Sequence, residues 1–193
     1  MTHLIFNFVK KLIMKINSYL LVLLIPLFSS AQISTEKSTV FNNLNAKTEQ
    51  NYTTQSVQLT LKAAFQITEQ ARAAASALGK NVTIAVLDAS GQIIIITRGE
   101  EVGPHNTEAA RRKAYTALST KTPTLLLSRN ARSNPDTQNL ATLPELLLLA
   151  GGYPIWHNGK VIGGIGIAGG GSPENDDLIA KSGGIIDAQI TTH

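Results

Sequence analysis

The stretch VIGGIGIAGGGSPENDDLIAKSG, residues 161–183, determines the fold class. Residues 161–168 are apolar and β-rich, which predicts a buried strand. Ser172 is a suitable N-cap, Pro173 suits the first helical position, and acidic residues follow, so a helix is predicted next. A buried strand, a glycine-rich connection and a helix together indicate a mixed α/β (α+β) domain.

The segment Gly164 to Gly169 matches the pattern G-x-G-x-x-G of dinucleotide-binding turns. The helix predicted after it carries Glu174, Asp176 and Asp177, which would repel a pyrophosphate. The sequence that follows is also too short for another βα unit with a ribose-binding acid. The glycines therefore predict close backbone packing rather than a nucleotide site.

The other elements are predicted from hydrophobic periodicity and turn signals. Three helices are predicted upstream. The first covers residues 61–78, with caps at Thr60 and Gly79, and the second is capped by Asn106 or Thr107 and runs to about Thr120. The third is a short helix at residues 125–127, before a polar stretch at 128–142. Four further strands are predicted at residues 82–87, 92–97, 146–150 and 153–156, with a tight Asn158-Gly159 turn before the strand at 161–168.

The N-terminal 31 residues have the three parts of a secretory signal. Lys10, Lys11 and Lys15 precede the apolar run YLLVLLIPLF, residues 19–28, and small residues follow at Ser29 to Ala31. An apolar run of about ten residues is too short to span a bilayer, which needs about 20. We therefore expect residues 1–31 to be a signal peptide beginning at Met1 or Met14, and the protein to be exported to the periplasm or outside the cell without stable membrane insertion.

Residues 32–56 are rich in Ser, Thr, Asn and Gln, and predict a flexible polar leader. The folded domain is predicted at residues 57–190. Without the signal peptide the chain keeps 14 of its 17 basic residues and all 13 acidic ones, so its net charge falls from +4 to +1. This near balance argues against a nucleic-acid partner, which requires a concentrated basic face.

The chain has no cysteine, which excludes disulfides, thiolate catalysis and iron–sulfur clusters. It also has no G-x-S-x-G, so a serine nucleophile is not indicated. Both methionines lie in residues 1–31, and an iron ligand in the mature protein would come mainly from His105, His157, His193 or a tyrosine. His157 is expected to be an exposed turn residue, and His193 a frayed terminus.

His105 is the strongest candidate among these residues. It follows Gly103-Pro104 and precedes the predicted start of a helix. That helix carries three cations that would suit carboxylates: Arg111, Arg112 and Lys113. Haem needs an axial base, cations or backbone N–H groups for its propionates, and apolar walls, so His105 is either a haem-iron ligand or an ordinary loop histidine.

Four blocks of the sequence resemble the GlcG/HbpS family, and together they cover about residues 58–186. They are VTIAVLDASGQI (82–93), GPHNTEAARRKAYTAL (103–118), LPELLLLAGGYPI (143–155) and the opening stretch, 161–183. The family includes glycolate-operon accessory proteins, secreted haem-binding proteins and the haem-binding C-terminal domain of some PduO-type cobalamin adenosyltransferases. The resemblance implies a profilin-like three-layer α/β/α sandwich with a five-stranded antiparallel sheet, usually assembled into dimers or larger oligomers.

The resemblance also implies haem binding in some members, and in one secreted branch redox sensing and iron sequestration with a membrane sensor kinase. The family pattern G-P-H falls on His105 as the iron ligand, and Thr107 and Thr116 are the alternatives because ligation varies between members. Four glycines are expected to shape the pocket or to allow tight packing: Gly151, Gly152, Gly169 and Gly170. The alanines at 110, 114 and 117 form a small-residue face that predicts a homo-oligomer.

The leading hypothesis is an exported, non-enzymatic haem-binding protein that senses haem or redox state or sequesters iron. One alternative is a cofactor-free oligomeric interaction protein that partners a membrane sensor or transporter. A second alternative is an enzyme that degrades haem or acts on a small metabolite.

Overall fold

The computed structural model describes Tyr52 and residues 54–193. The chain divides into two units, residues 1–56 and 57–193, and the fold below is that of the second. The predicted signal peptide, 1–31, lies outside the described residues, as does nearly all of the predicted polar leader, 32–56. Within the described part of the chain, no helix is both long enough and apolar enough to cross a membrane.

The domain contains four α-helices and five strands. The helices are α1 (Leu61–Ala77), α2 (His105–Thr120), α3 (Thr124–Ser133) and α4 (Pro173–Lys181). The strands are β1 (Thr83–Asp88), β2 (Ile93–Arg98), β3 (Gly152–His157), β4 (Lys160–Ala168) and β5 (Ile190–Thr192). Two short 3₁₀ helices lie at Gln138–Thr142 and Ile186–Ala188.

The five strands form one sheet in the order β2-β1-β4-β3-β5, and every neighbouring pair is antiparallel. Asn158 and Gly159 have positive φ of 48° and 73° between β3 and β4, as a type I′ hairpin turn requires. The predicted α/β class and five-stranded antiparallel sheet are therefore confirmed.

Side chains that alternate along β1 reach two different cores, because successive residues of a strand point to opposite faces. Ile84 and Val86 pack with α1 and α4 in one apolar cluster, whereas Ala85 and Leu87 pack with α2 in another. Helices thus cover both faces of the sheet, which confirms the predicted three-layer arrangement.

Helix α2 lies unusually close to the sheet, over a floor of glycines on β3 and β4. A Cβ atom on Gly152, Gly164 or Gly166 would collide with backbone atoms of α2. The facing residues of α2 include three fully buried alanines, at 110, 114 and 117. The G-x-G-x-x-G motif therefore serves backbone packing, as predicted, whereas the alanine face expected to promote assembly is buried inside the chain's own fold.

The predicted strand at 146–150 is wrong, because α2 satisfies polar groups of this backbone. Arg112 Nη2 donates to the Leu146 carbonyl oxygen at 2.8 Å, and the Leu147 N–H donates to Thr116 Oγ1 at 2.8 Å. The fifth strand is instead β5, near the end of the chain, which pairs with β3. The periodicity of LPELLLL could not distinguish these partners.

Two predicted N-caps are confirmed, whereas α1 has Leu78 rather than Gly79 as its C-cap. Thr60 Oγ1 accepts from the Ala63 N–H, and Ser172 Oγ accepts from the Asn175 N–H. The predicted cap of α2 at Asn106 or Thr107 is wrong, since Pro104 is the N-cap and His105 is the first helical residue. The predicted short helix at 125–127 is longer and extends into the polar stretch that was predicted to follow it.

Candidate functional site

A cleft of about 310 Å³ opens between the N-termini of α2 and α4, and we call it the His105 cleft. Both helices direct the positive end of their dipole toward it. Its apolar wall comes from Ala109, Leu149, Ala150, Ala168 and Pro173, and its polar lining from His105, Asn106, Lys113, Gly171, Ser172 and Asp176. The sequence blocks 103–118 and 161–183 therefore meet at one place.

His105 lies at this cleft as the first residue of α2, and its side chain is exposed. Its imidazole forms no hydrogen bond or ion pair within the described residues. The ring folds back over Gly103, where a Cβ atom would lie 2.9 Å from His105 Cε1 and 3.1 Å from Nδ1. A glycine at 103 thus leaves room for this ring orientation. The imidazole is accessible to a molecule that enters the cleft from solvent.

Lys113 and Asp176 form a buried ion pair at the inner wall of the cleft. Lys113 Nζ lies 2.8 Å from Asp176 Oδ2 and also donates to the Ile167 carbonyl oxygen at 2.8 Å. The second oxygen, Asp176 Oδ1, accepts from the Gly170 N–H at 2.8 Å. This network joins α2, β4 and α4, so the ammonium predicted to bind propionates is committed to the fold.

Arg111 and Arg112 are also bonded within the chain. Arg111 forms ion pairs with Glu108 and Glu145, each at 2.7 Å. Its hydrogen bonds with these two carboxylates raise its pKa further above the usual value. Arg112 donates to the Leu146 carbonyl oxygen, and its Nε is buried without a partner in the described structure. The structure does not bring the three predicted cations together at the His105 cleft.

The two threonines considered as alternative iron ligands differ in position. Thr107 is partly exposed in the first turn of α2. Thr116 is fully buried, and its hydroxyl donates to the Arg112 carbonyl oxygen while it accepts from the Leu147 N–H. Neither threonine lines the His105 cleft, although Thr107 directly follows Asn106, which does.

The predicted pocket glycines are mainly packing residues. Gly151 and Gly169 both have φ of +105°, a left-handed conformation that disfavours other residues. A Cβ on Gly151 would lie 2.7 Å from Asp176 Cβ, and Gly152 lies under α2. Gly170 contributes its N–H to Asp176. These glycines set the position of the cleft wall without lining the cleft themselves.

Lys80 is a cation near the cleft that the sequence did not single out. Its Nζ lies 3.6 Å from where a Cβ would stand on Gly171, a lining residue, and its side chain is exposed. Lys80 is distant in sequence from every cleft residue, so only the fold brings it there. It forms no ion pair within the described residues.

His157 and His193 lie away from this cleft. His157 ends β3, where its Nε2 is 3.0 Å from Asn158 Nδ2 and its Nδ1 is buried without a partner in the described structure. His193 stacks on Trp156 with a centroid separation of 5.5 Å, and its carbonyl oxygen accepts from Trp156 Nε1. The expectation that His193 is frayed is therefore wrong.

No group of three or more His, Cys, Asp or Glu side chains able to hold a metal ion occurs in the part of the chain that the structure describes. An iron bound here through His105 would therefore need its other ligands from elsewhere, as the four nitrogens of a porphyrin provide.

Comparison with known proteins agrees with this fold. The profile of the HbpS-like family, described as "Haem degrading protein HbpS-like", matches residues 59–184. The chain therefore belongs to the HbpS-like family. A double mutant of HbpS from Streptomyces reticuli is 37% identical, with a TM-score of 0.64 over 68% of this chain and 88% of that one.

Two further relatives are the corrinoid adenosyltransferase PduO and its C-terminal domain. A solved PduOC:heme complex is 32% identical, with a TM-score of 0.65 over 71% of this chain and 99% of that chain. The PduO protein of Citrobacter freundii is 31% identical over 137 residues, which is 70% of this chain and 40% of PduO. The chain thus spans about two fifths of the length of this relative.

Proposed function

We propose that this chain binds haem in the His105 cleft, with His105 as the iron ligand. The observation that carries the proposal is an exposed imidazole beside an apolar wall, with no hydrogen-bond or ion-pair partner in the part of the chain that the structure describes. Membership of the HbpS-like family and the similarity to PduOC, which was solved with heme, support the choice of ligand. In the bound state, haem would supply the iron chemistry, while the protein supplies the axial base and the apolar contact surface.

The cleft fits part of a haem. Its volume of about 310 Å³ lies at the lower end of the roughly 300–1,000 Å³ typical of ligand pockets, and Leu149 in its wall is 53% exposed. One chain therefore offers contact to one side of a macrocycle. Lys113 is bonded within the chain, whereas Lys80 has no ion pair among the described residues and is available to a propionate.

A hemin titration followed by absorbance tests this proposal. His105→Ala is expected to weaken hemin binding about tenfold or more, roughly 1.4 kcal/mol, and to shift the Soret band. His157→Ala is the matched control and should change neither. Lys80→Gln should weaken binding less than His105→Ala without moving the Soret band, because a propionate contact leaves the iron ligand in place. If His105→Ala binds hemin with unchanged affinity and spectrum, the iron ligand is another residue. Thr107 would be tested next.

We further propose that the protein acts outside the cytoplasm, in haem or redox sensing with a membrane sensor protein, or in iron sequestration. The basic, apolar and small-residue parts of residues 1–31 support export. N-terminal sequencing of exported protein should find Gln32 first, after cleavage at Ala31. A mature chain that begins within residues 1–20 would contradict this assignment.

A homo-oligomer is proposed as the functional form. Because the His105 cleft covers only one side of a macrocycle and Leu149 at its wall is half exposed, a second copy is a suitable cover for the other side. Light scattering of the purified protein, with and without hemin, should show at least a dimer. A monomer independent of concentration in both states would contradict the proposal.

Haem degradation is the second candidate function, favoured by the description of the family profile. It shares the His105 cleft with the first proposal and differs in outcome. Incubation of the hemin complex with a reductant and oxygen should leave the Soret band intact if the protein only binds haem. Loss of that band with release of iron and an open-chain tetrapyrrole product would favour the enzyme.

A further inference from the structure

A second cleft, of about 350 Å³, lies on the other side of α4 and shares no lining residue with the His105 cleft. We call it the Tyr153 cleft. It is lined by Pro123, Leu125, Leu126, Arg129, Tyr153, Asp177, Lys181 and His193. It therefore combines two cations, a carboxylate, a phenol and an apolar wall, none of which the proposed haem site uses.

Asp177 lines this cleft and has one carboxylate oxygen without a hydrogen-bond partner in the described structure. The Tyr153 hydroxyl donates to Asp177 Oδ2 at 3.1 Å, whereas Asp177 Oδ1 is buried and has no partner within the described structure. Burial raises the pKa of Asp177, although the Tyr153 hydrogen bond and the charges of Lys181 and Arg129 oppose that shift. A buried acceptor without a donor is costly, so a donor supplied by a ligand would be stabilising.

Arg129 and Lys181 are the cations of the Tyr153 cleft. Neither forms an ion pair within the described residues, although both lie close enough to Asp177 to favour its ionised form. They come from α3 and α4, on different sides of the opening. Glu174 also lies close enough to Asp177 to raise its pKa, but it does not line the cleft. The lining itself therefore has more cations than carboxylates, which suits a ligand anion.

The apolar part of the cleft belongs to the start of α3. Pro123 precedes the helix, Leu125 and Leu126 lie in its first turn, and Leu126 is 50% exposed. Apolar side chains left half exposed inside a concave site provide area for a ligand to bury.

We propose that the Tyr153 cleft binds an α-amino acid with an apolar side chain. The ligand's carboxylate pairs with Arg129 and Lys181, its ammonium donates to the Asp177 carboxylate, and its side chain packs on Leu125 and Leu126. A simple carboxylate would leave Asp177 Oδ1 without a donor, and a simple amine would leave both cations without an anion. The zwitterion satisfies both sets of groups, and the cleft is large enough for a molecule of this size.

The chain contains its own reporter for this test. Trp156 is the single tryptophan, and it stacks on His193, which lines the Tyr153 cleft. Binding of L-leucine to the purified full-length chain without hemin should therefore change Trp156 fluorescence. Calorimetry on the same samples detects binding even where the fluorescence does not respond. The comparison probes are 4-methylpentanoate, which lacks the amine, and 3-methylbutylamine, which lacks the carboxylate.

L-Leucine is expected to bind at least about tenfold more tightly than either comparison probe, because each probe leaves one set of groups unsatisfied. Asp177→Asn should reduce leucine affinity toward that of 4-methylpentanoate. Arg129→Gln should weaken both leucine and 4-methylpentanoate. Arg132→Gln, an exposed arginine on the same helix outside this cleft, is the matched control and should change neither.

Circular dichroism tests whether each variant is folded. If Asp177→Asn does not fold, Tyr153→Phe, which removes the hydrogen-bond partner of Asp177, replaces it. The proposal is overturned if leucine produces neither heat nor a fluorescence change, or if 4-methylpentanoate binds as tightly as leucine. It is also overturned if Arg132→Gln has the same effect as Arg129→Gln. Since the two clefts share no residue, hemin binding can fail while leucine binding succeeds, and the reverse.

Discussion

Asp176 and Asp177 are adjacent in sequence, yet they belong to opposite clefts and to opposite kinds of environment. Asp176 is buried with both oxygens bonded, to Lys113 Nζ and to the Gly170 N–H. Asp177 has one oxygen bonded to Tyr153 and the other buried without a partner in the described structure. Two acids one residue apart on a helix point about 100° apart, which is enough to separate them.

This difference means that the charge of Asp176 is used by the fold, whereas the charge of Asp177 is available to a ligand. The groups around Asp176 are satisfied by the chain itself, so that side of α4 is rigid and its charges are committed to the fold. At the Tyr153 cleft, Arg129 and Lys181 have no ion pair among the described residues, and Asp177 has an unfilled acceptor. A ligand therefore has more to gain from polar contacts in the Tyr153 cleft, whereas the His105 cleft offers mainly an imidazole and an apolar wall.

The largest expected effect comes from removing the cation of the structural side. Lys113→Met leaves Asp176 buried without its main counter-charge, and we expect a loss of about 3–5 kcal/mol in the free energy of unfolding. Urea denaturation measures it. Lys62→Met, at an exposed position of α1, is the control and should stay within about 0.5 kcal/mol of the wild type. A comparably small loss for Lys113→Met would erase the distinction between the two sides of α4.

The same pair can be tested further by removing both charges. The double variant Lys113→Met with Asp176→Leu is expected to regain much of the lost stability, because no unpaired charge remains buried. Failure to regain it would assign the cost to the lost hydrogen bonds with Ile167 and Gly170 instead.

The second prediction concerns the glycine floor that positions α2. A Cβ on Gly166 meets backbone atoms of Ala110 and Ala114, which cannot rotate away as a side chain would. Gly166→Ala should therefore cost about 3 kcal/mol in unfolding free energy, at the upper end of typical overpacking effects. Gly159→Ala, in an open turn with φ of +73°, should cost about 1 kcal/mol of backbone strain. Because α2 carries His105, Gly166→Ala should also weaken hemin binding more than leucine binding.

Much of the fold was predictable because local signals and burial agreed. The Thr60 and Ser172 caps, the Asn158-Gly159 turn and the buried strand at 161–168 each depend on a few neighbouring residues. The segment at 146–150 was not predictable, since its apolar residues fit a strand while its backbone bonds to Arg112 and Thr116 of α2. The short strand β5 was missed for a similar reason: it pairs with β3, which lies about 35 residues earlier in the chain.

The candidate site was predictable in its location and not in its details. The pattern G-P-H led to His105, which does lie at a cleft. The three nearby cations were misleading, because helical neighbours in sequence face different directions and Arg111, Arg112 and Lys113 each bond within the chain. Lys80 and the whole Tyr153 cleft were missed, since their residues come from distant segments that no short motif links.

The smallest expected effect is a difference in the pH dependence of stability between two acids whose pKa values are shifted in opposite directions. Burial raises the pKa of Asp177 above its ordinary value of 3.8, so the folded state binds this proton more tightly than the unfolded state. The corresponding stability is fully present below about pH 3.8 and is lost as the pH rises through the folded-state pKa. Asp177→Asn removes this titration, so its stability relative to wild type should rise with pH over that window and then stay level.

Glu108 is the matched acid with the opposite sign. Its hydrogen bond with Arg111 lowers its pKa below 4.5, so its contribution is present above that pH and is lost as the pH falls through the folded-state pKa. Glu108→Gln should therefore lose stability relative to wild type as the pH rises through the same region. Urea denaturation of the three proteins at a series of pH values measures both trends. Parallel trends would mean that Asp177 is no less satisfied than Glu108, and the case for a ligand donor in the Tyr153 cleft would lose its electrostatic support.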